Sequence, residues 1–357
     1  MRTKSLKYWM VMQGPIIGII SFYGHGILAW LLPIYAFVII PIAELFLPAS
    51  TQNMSEMEEE VALADPFYDW VVYLLVPIQY GLLALYLYIV CFTENSTWDF
   101  AGKTFSMGIA CGILGINVAH ELGHRIKPSE RFMSKALLLT SLYMHFYVEH
   151  NRGHHKNVAT PNDPATSRYG EVVYFFWIRS IINSWLSAWS LEAKRMKKEG
   201  KSILSFSNEM IRYIFIQLGF IGLIYLVFGL KGMLSFLAVA TIGFLLLETV
   251  NYIEHYGLTR KKSQGDNYER VLPVHSWNSN HFIGRLLLFE LSRHSDHHYK
   301  ASRKYQILRH FEDSPQMPTG YPGMIVLALV PPIWFYVMHR NIEKYSEMHP
   351  EAVKAWA

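Results

Sequence analysis

Long apolar stretches constrain this chain more than any other feature of its sequence. The hydrocarbon core of a bilayer requires about twenty mostly apolar residues in a helix, and six stretches approach or exceed that length: residues 8–23, 27–47, 67–92, 104–124, 211–230 and 233–254. Only 17% of the residues are charged, against about 25% in typical soluble domains. The sequence therefore predicts an all-α integral membrane protein with about six transmembrane helices.

The breaks between these stretches predict two helical hairpins. Gly24-His25-Gly26 separates the first pair of spans, and Lys231-Gly232 separates the last pair. No internal repeat or flexible linker interrupts the chain, so we expect a single membrane-embedded domain, residues 1–357. Three further apolar stretches contain charged residues or prolines, and we expect them to form helices in the membrane interface: residues 132–148, 172–191 and 324–338.

The basic residues predict the orientation of the chain. Lysine and arginine are concentrated in residues 1–7, 125–201 and 260–309, and six spans place these segments on one side, which the positive-inside rule assigns to the cytoplasm. Residues 51–65 are acidic and lie on the same side, but acidic residues carry little weight in that rule. No concentrated basic stripe is present, so nucleic-acid binding is not expected. The two cysteines, Cys91 and Cys111, lie in apolar runs and provide neither a disulfide framework nor a thiolate metal site.

Nine histidines form four clusters, each at the end of an apolar stretch or just beyond it. Residues i and i+4 share one face of a helix, so paired histidines at this spacing can chelate a metal. Neutral imidazole suits iron, copper, zinc and nickel. Nine imidazoles are too many for one ion, so we predict two ions in a cytoplasmic cap built from helix extensions and interfacial helices. The predicted ligands are His120, His124, His150, His154, His155, His255, His294, His297 and His298.

Several acidic residues lie close to these histidines in the sequence. A metal-bound imidazole usually donates its outer N–H to a carboxylate or a carbonyl, and the candidates for this role are Glu121, Glu149, Glu254, Asp296 and Asp163. The remaining histidines are interpreted as packing residues, as neighbours of ligands, or as residues without a role: His145, His275, His281, His310, His25, His339 and His349.

His120-Glu121-x-x-His124 also allows a different interpretation. It matches H-E-x-x-H, the helix signature of zinc metallopeptidases, in which the glutamate acts as general base. An intramembrane zinc protease would leave seven clustered histidines unexplained. A metal-binding or transport protein without catalytic activity is a third alternative.

The residues around the histidines also carry a resemblance to a known family. Four strings resemble the membrane-bound alkane 1-monooxygenase (AlkB) family, within the fatty acid desaturase-like, histidine-rich di-iron superfamily. The similarity covers most of residues 120–325, and the asparagine-containing strings are more specific than the H-x3-H elements that desaturases share. The strings are His120-Glu121-Leu122-Gly123-His124-Arg125, Glu149-His150-Asn151-Arg152-Gly153-His154-His155, Asn251-Tyr252-Ile253-Glu254-His255-Tyr256-Gly257 and Leu291-Ser292-Arg293-His294-Ser295-Asp296-His297-His298.

The resemblance implies a non-haem enzyme of the bacterial inner membrane, with its active site facing the cytoplasm. It implies that two iron ions, held by the nine histidines, use O2 to hydroxylate the terminal methyl of medium-chain n-alkanes to 1-alkanols. Electrons would come from NAD(P)H through rubredoxin reductase and rubredoxin. The chain lacks the Cys-x-x-Cys pairs of a fused rubredoxin, so a separate rubredoxin is expected to dock on the basic face. Xylene-type methyl hydroxylation and acyl-lipid desaturation or hydroxylation are alternatives within the same superfamily.

The chemistry of the substrate leads to the same class of centre. A terminal C–H bond offers no acidic proton and no leaving group, so a metal cofactor has to supply the oxidation. Because an alkane partitions into lipid, we expect a slot between helices that opens to the bilayer. Candidate lining residues are Trp30, Phe46, Trp70, Phe105 and Met107.

Overall fold

The computed structural model describes residues 3–263, 265, 267–350, 352 and 353. Within these residues every regular element is a helix, and only two isolated β-bridges occur. The main helices are Gln13–Tyr23, Gly26–Phe46, Glu56–Ala64, Phe67–Phe92, Thr97–Gly123, Pro128–Leu139, Val173–Lys198, Glu209–His255, Phe282–Leu287, His294–Tyr299, Tyr321–Ala328 and Pro331–Met348. Residues 146–157 form one more helical run, with a π-helical turn at His150–His154.

Four of the helices in the described residues are long and apolar enough to cross a membrane: Gly26–Phe46, Phe67–Phe92, Thr97–Gly123 and Glu209–His255. The prediction of an all-α integral membrane protein is therefore confirmed. The first predicted span contains an α-helix of only 11 residues, Gln13–Tyr23, which follows a 3-10 turn at Lys7–Met12. The count of six spans stays a prediction.

The run Glu209–His255 consists of two helices. Gly229 interrupts it with φ 66° and ψ −169°, a conformation that only glycine adopts readily. The rings of Phe220 and Phe236 lie 5.3 Å apart, whereas sixteen residues of straight helix would separate them by about 24 Å. The chain therefore turns back on itself, as the sequence predicted, but the break lies at Gly229 and not at Lys231-Gly232.

The chain divides into two compact units. Unit 1 contains the residues up to Val38, together with Asp65–Glu149 and Ala188–Leu247. Its central element is the helix Thr97–Gly123, of which 89% is buried over its most apolar window. Glycines allow the second helix of the hairpin to approach it closely, because a Cβ on Gly108 would lie 2.5 Å from Ile242 and one on Gly112 would lie 2.6 Å from Leu246. This small-xxx-small pattern is typical of packed membrane helices.

Replacing Gly108 by valine is expected to destabilise unit 1. The new side chain would meet Cβ and Cγ2 of Ile242, which is branched at Cβ and cannot move aside, and overpacking of this kind costs about 1–3 kcal/mol. Thermal unfolding of the purified protein in detergent measures the loss. Gly81→Ala is the matched control, since no atom lies within 4 Å of that position. Equal melting temperatures for the two variants would contradict the packing described here.

Unit 1 also contains a buried ionic cluster beyond the end of Thr97–Gly123. Arg125 lies 2.7 Å from Asp69, 3.0 Å from Glu121 and 2.9 Å from Glu130. The Tyr73 hydroxyl donates a hydrogen bond to Glu130. Arg125 is 5% exposed, and a charge buried to this extent needs partners of opposite sign. The cluster therefore fixes the residues that follow the first histidine pair.

Unit 2 contains Ile39–Ala64, His150–Ser187 and the residues from Glu248 onward. Its short helices are held mainly by polar contacts. Glu44 accepts a hydrogen bond from the backbone N–H of Gly284 at 2.7 Å, and Arg309 lies 2.6 Å from Glu59. Arg293 donates to the backbone carbonyl of Leu308 at 2.7 Å. These contacts position the turn that leads into the helix His294–Tyr299.

The loop after the π-helical turn is held by Arg179, which lies on the helix Val173–Lys198. Its guanidinium binds both carboxylate oxygens of Glu171, at 2.6 and 2.8 Å. It also donates to the backbone carbonyls of Pro164 and Thr166, at 3.1 and 3.0 Å. A bidentate arginine of this kind fixes both distance and orientation. The loop that contains Asp163 is therefore rigidly placed within unit 2.

Candidate metal centre

The first predicted pair, His120 and His124, lies at the end of the helix Thr97–Gly123 in unit 1. The helix continues past its apolar part to Gly123, and His124 follows directly as its cap residue. The two ring centroids are 4.9 Å apart, as expected for an i, i+4 pair on one helix face. The sequence correctly predicted one long helix that carries this pair.

Unit 2 brings together three histidines, His150, His155 and His297, which we call the three-histidine set. Nε2 of His155 lies 3.0 Å from Nε2 of His150 and 3.1 Å from Nε2 of His297. The π-helical turn at His150–His154 explains the first contact, because a π-turn places residue i+5 close to the direction of residue i.

Unit 2 also contains a four-histidine set, formed by His154, His255, His294 and His298. Nε2 of His298 lies 3.2 Å from that of His154 and 2.9 Å from that of His294, which is 3.4 Å from Nε2 of His255. All four side chains are buried, and one nitrogen from each lies within 4.8 Å of the others.

The sequence predicted a different pairing around the π-helical turn. It paired His150 with His154 at i, i+4, with His155 as a neighbour. In the structure His150 faces His155, and His154 belongs to the four-histidine set. The extra residue in the turn rotates His154 away from His150, and this separates residues that an α-helix would place on one face.

The distances in both sets fit metal coordination. With metal–nitrogen bonds of about 2.1 Å, two ligands of one ion are separated by roughly 3.0 Å at a right angle and roughly 3.4 Å at a tetrahedral angle. The measured separations run from 2.9 to 3.4 Å. In the four-histidine set one nitrogen faces two others at once, whereas a neutral imidazole has one donor and one acceptor nitrogen. Convergence on an ion explains this arrangement better than hydrogen bonding between the rings does.

Asp163 occupies the outer position that the sequence predicted for an acidic residue. Its carboxylate lies 2.9 Å from Nδ1 of His154, the nitrogen that faces away from the set. It also accepts hydrogen bonds from the Thr166 hydroxyl and from the backbone N–H of Ala165. Burial acts to raise the pKa of Asp163, but the His154 charge and the hydrogen bonds lower it below its usual value. The carboxylate therefore stays ionised and orients the His154 ring.

The other acidic candidates have different surroundings. Asp296 binds Arg303 at 2.6 and 2.8 Å and accepts the backbone N–H of Arg309 at 2.8 Å, so its contacts hold the chain after the ligand helix. Glu121 pairs with Arg125, and Glu149 is buried. Glu254 lies against Nε2 of His294 at 3.2 Å, on the inner side of the set.

The contacts of Glu121 also bear on the metallopeptidase interpretation. The general base of such an enzyme has to hold a water molecule beside its metal ion. Both Nε and Nη2 of Arg125 lie 3.0 Å from Oε1 of Glu121. This carboxylate therefore serves as an ion-pair partner, and the resemblance to H-E-x-x-H is one of sequence spacing.

Most of the remaining histidines have local partners. The contacts are His25 with Asp99, His281 with Ser279, His310 with Asn280, His339 with Tyr256, His275 with the backbone of Leu272, and His145 and His349 with the rings of Tyr143 and Tyr345.

The predicted slot residues lie in different surroundings. Phe46 and Trp70 are exposed by 82% and 62%, Phe105 by 45%, and Met107 is fully buried. Trp30 stacks on Trp98 and Phe105. Their role as a substrate channel stays a prediction.

Three residues near the histidines were not singled out from the sequence. Arg125 and Arg179 hold the segments that carry ligands and their partners, and Tyr321 donates to Glu254 at 2.8 Å. The position of Arg125 directly after His124 was the only available signal, because the contacts of the other two residues are far apart in sequence.

Comparison with known proteins identifies the family. The model of the fatty acid desaturase family matches residues 95–328, a segment that contains all nine clustered histidines. The chain belongs to this family. Within it, the chain is 39% identical to alkane 1-monooxygenase 2 of Pseudomonas aeruginosa, over 97% of this chain and 94% of that protein. The chain therefore lies in the alkane 1-monooxygenase branch of the desaturase family.

Two more relatives define the range of this similarity. Alkane 1-monooxygenase 1 of Alcanivorax borkumensis is 41% identical over 90% of this chain and 80% of its own length. The xylene/toluene monooxygenase hydroxylase component of Pseudomonas putida is 29% identical over 93% of this chain and 87% of its own length. In each case the similarity extends well beyond the segment matched by the family model.

Proposed function

We propose that this protein is an alkane 1-monooxygenase, which uses O2 to hydroxylate the terminal methyl of medium-chain n-alkanes to 1-alkanols. The observation that carries the proposal is the pair of histidine sets in unit 2, whose facing nitrogens have the spacing of metal ligands. The relatives named alkane 1-monooxygenase support the choice of substrate, because they match nearly the whole chain.

The proposed cofactor is a pair of iron ions. The four-histidine set would hold one ion, and the three-histidine set would hold the other together with His120 and His124. These two histidines complete the second set in our proposal because three imidazoles leave an ion short of ligands. When bound, iron supplies the reduction of O2 to an oxidant that can attack a C–H bond.

The protein's own residues would keep the centre dry and fixed. His255 is fully buried, and His294 and His298 are 2% and 5% exposed, so water has little access to the ring nitrogens. Asp163 orients His154 from outside, and Arg179 holds the loop that carries Asp163. A buried centre protects its reactive oxygen from side reactions with water, which is the condition for attack on an unactivated methyl.

The electron donor is proposed to be a separate rubredoxin, reduced by its NAD(P)H-dependent reductase. The lysine- and arginine-rich segments 125–201 and 260–309 support this, because a basic surface attracts an acidic partner. We also propose that the protein lies in a bacterial inner membrane with its centre on the cytoplasmic side, in line with the positive-inside rule.

Product analysis tests the proposed activity. The purified protein, loaded with iron and supplied with rubredoxin, its reductase and NADH, is expected to convert octane and dodecane to 1-alkanols in an O2-dependent reaction. Xylene and a fatty acyl thioester serve as competing substrates, since the xylene/toluene hydroxylase component is a relative and the family is that of desaturases. A desaturated acyl product without any alkanol would refute the proposal.

A further inference from the structure

Glu254 occupies a different position from the other acidic residues near the histidines. Its Oε2 lies 3.2 Å from Nε2 of His294. That same nitrogen faces His298 at 2.9 Å and His255 at 3.4 Å. The carboxylate oxygen is therefore as close to this inward-facing nitrogen as the neighbouring imidazoles are. By contrast, Asp163 contacts the outward-facing nitrogen of its histidine.

The surroundings of Glu254 call for a cation. The residue is 2% exposed, and its other oxygen, Oε1, accepts a hydrogen bond from the Tyr321 hydroxyl at 2.8 Å. Among the described residues, no arginine or lysine is a hydrogen-bond or ion-pair partner of Glu254. Burying a carboxylate costs several kcal/mol unless a positive charge or a metal compensates it. A neutral phenol and neutral imidazoles cannot do so.

We propose that Glu254 is an oxygen ligand of the ion held by His154, His255, His294 and His298, with Tyr321 fixing the other carboxylate oxygen. The inference rests on the proposed metal centre and adds an anionic ligand to the nine imidazoles. It replaces the outer role that the sequence suggested for Glu254. A carboxylate is a harder ligand than imidazole and favours iron over copper. It also makes the two metal positions chemically different from one another.

The backbone supports this placement. Glu254 and His255 are the last two residues of the helix Glu209–His255, and the backbone carbonyl of Glu254 accepts the N–H of Trp277 at 2.8 Å. Ser276, the residue before Trp277, lies 3.5 Å from Nδ1 of His255 through its hydroxyl. One connection therefore fixes both neighbouring side chains, so each can supply one atom to the same ion.

Glu254→Gln tests the proposal, because the amide preserves size and hydrogen bonding but removes the charge. The full-length protein is loaded with ⁵⁷Fe, and its metal content, resistance to a chelator and Mössbauer spectrum are compared with those of the unmodified protein. One of two iron signals is expected to change or disappear, with iron affinity at that position reduced more than about 100-fold, the upper end of the effect of outer partners. An unchanged spectrum with affinity within tenfold of the original would overturn the proposal.

Two further variants separate a ligand from a positioning residue. Asp163→Asn is the matched control: it removes a buried carboxylate that touches the same set from outside, and a loss of about 10- to 100-fold in affinity is expected, with both iron signals retained. Glu254→Asp keeps the charge and is expected to retain the second ion with altered spectral parameters. If Glu254→Asp were no better than Glu254→Gln while Asp163→Asn matched both, the ligand role would be refuted.

A measurement on the unmodified protein covers the case in which Glu254→Gln fails to fold. With ¹³C-labelled glutamate, the infrared difference spectrum on iron binding is expected to contain a shifted carboxylate band, and its absence would contradict the proposal. These readouts do not depend on alkane turnover. Failure to hydroxylate alkanes, with the iron signals behaving as described, would refute the proposed substrate and leave the ligand assignment standing.

Discussion

Replacing His255 by alanine is expected to abolish alkane hydroxylation, with the rate falling by at least about 10³-fold, and to reduce bound iron from about two ions to about one per chain. His255 is fully buried, and its Nε2 lies 3.4 Å from that of His294. Removing it deletes one imidazole of the four-histidine set and leaves a cavity in the place of the ring. The measurements are 1-alkanol formation and iron content by mass spectrometry.

His281→Ala is the matched control for this prediction. His281 lies in the same unit, and its ring contacts the Ser279 hydroxyl at 3.0 Å, outside both histidine sets. This variant is expected to keep its iron and its activity. If His255→Ala retained both ions and turned over octane at the normal rate, His255 could not be a ligand and the four-histidine set would need another interpretation.

Replacing Arg125 by glutamine is expected to destabilise unit 1 by about 3–5 kcal/mol, the usual cost of leaving buried charges without their partner. Asp69, Glu121 and Glu130 would lose the guanidinium that lies within 3.0 Å of each of them. Glutamine retains hydrogen-bonding capacity but carries no charge. The loss is measured as a decrease in melting temperature in detergent.

The pH dependence gives this second prediction its sharpest form. In the unmodified protein burial acts to raise the pKa of Glu130, but hydrogen bonds from Tyr73 and Arg125 and the Arg125 charge hold it below its usual value. A lowered folded-state pKa contributes stability that is present above the unfolded pKa and lost as pH falls through the folded value. Without Arg125, burial raises the folded-state pKa, so the variant gains stability as the pH falls toward the usual pKa range.

Opposite slopes are therefore expected between pH 7 and the acid range. Melting temperatures measured across this range for both proteins provide the test. Arg131→Gln is a suitable control, because Arg131 donates only to the backbone carbonyl of Arg125 among its hydrogen bonds in the described residues. A parallel pH dependence in Arg125→Gln and the unmodified protein would mean that the three carboxylates do not depend on Arg125.

The sequence predicted features that depend on local periodicity. The length of the helix that ends at His120 and His124 followed from its apolar run, and the hairpin around Gly229 followed from two neighbouring apolar stretches. The class of protein was also correctly predicted, because long apolar helices and clustered histidines are both visible as patterns.

Features that depend on backbone irregularity or on distant contacts were not predictable. The pairing of His150 with His155 requires a π-turn, and the sequence gave no reason to expect an extra residue there. Tyr321 contacts Glu254 across 67 positions, so proximity in sequence could not have linked them. The inner position of Glu254 was missed for a related reason: the rule that places carboxylates on outer nitrogens holds for Asp163 but does not predict which side a neighbour of a histidine faces.

The π-turn at His150–His154 has a consequence for anyone who grafts this centre onto a designed scaffold. Copying the order His-x3-His-His onto an ideal α-helix would orient His150 and His154 toward one ion and point His155 elsewhere. A template built from spacing alone would thus recruit the wrong ligands while matching the motif at every position. The transferable unit is the backbone of the turn, and a design that omits its one surplus residue would reproduce the letters of the motif without its geometry.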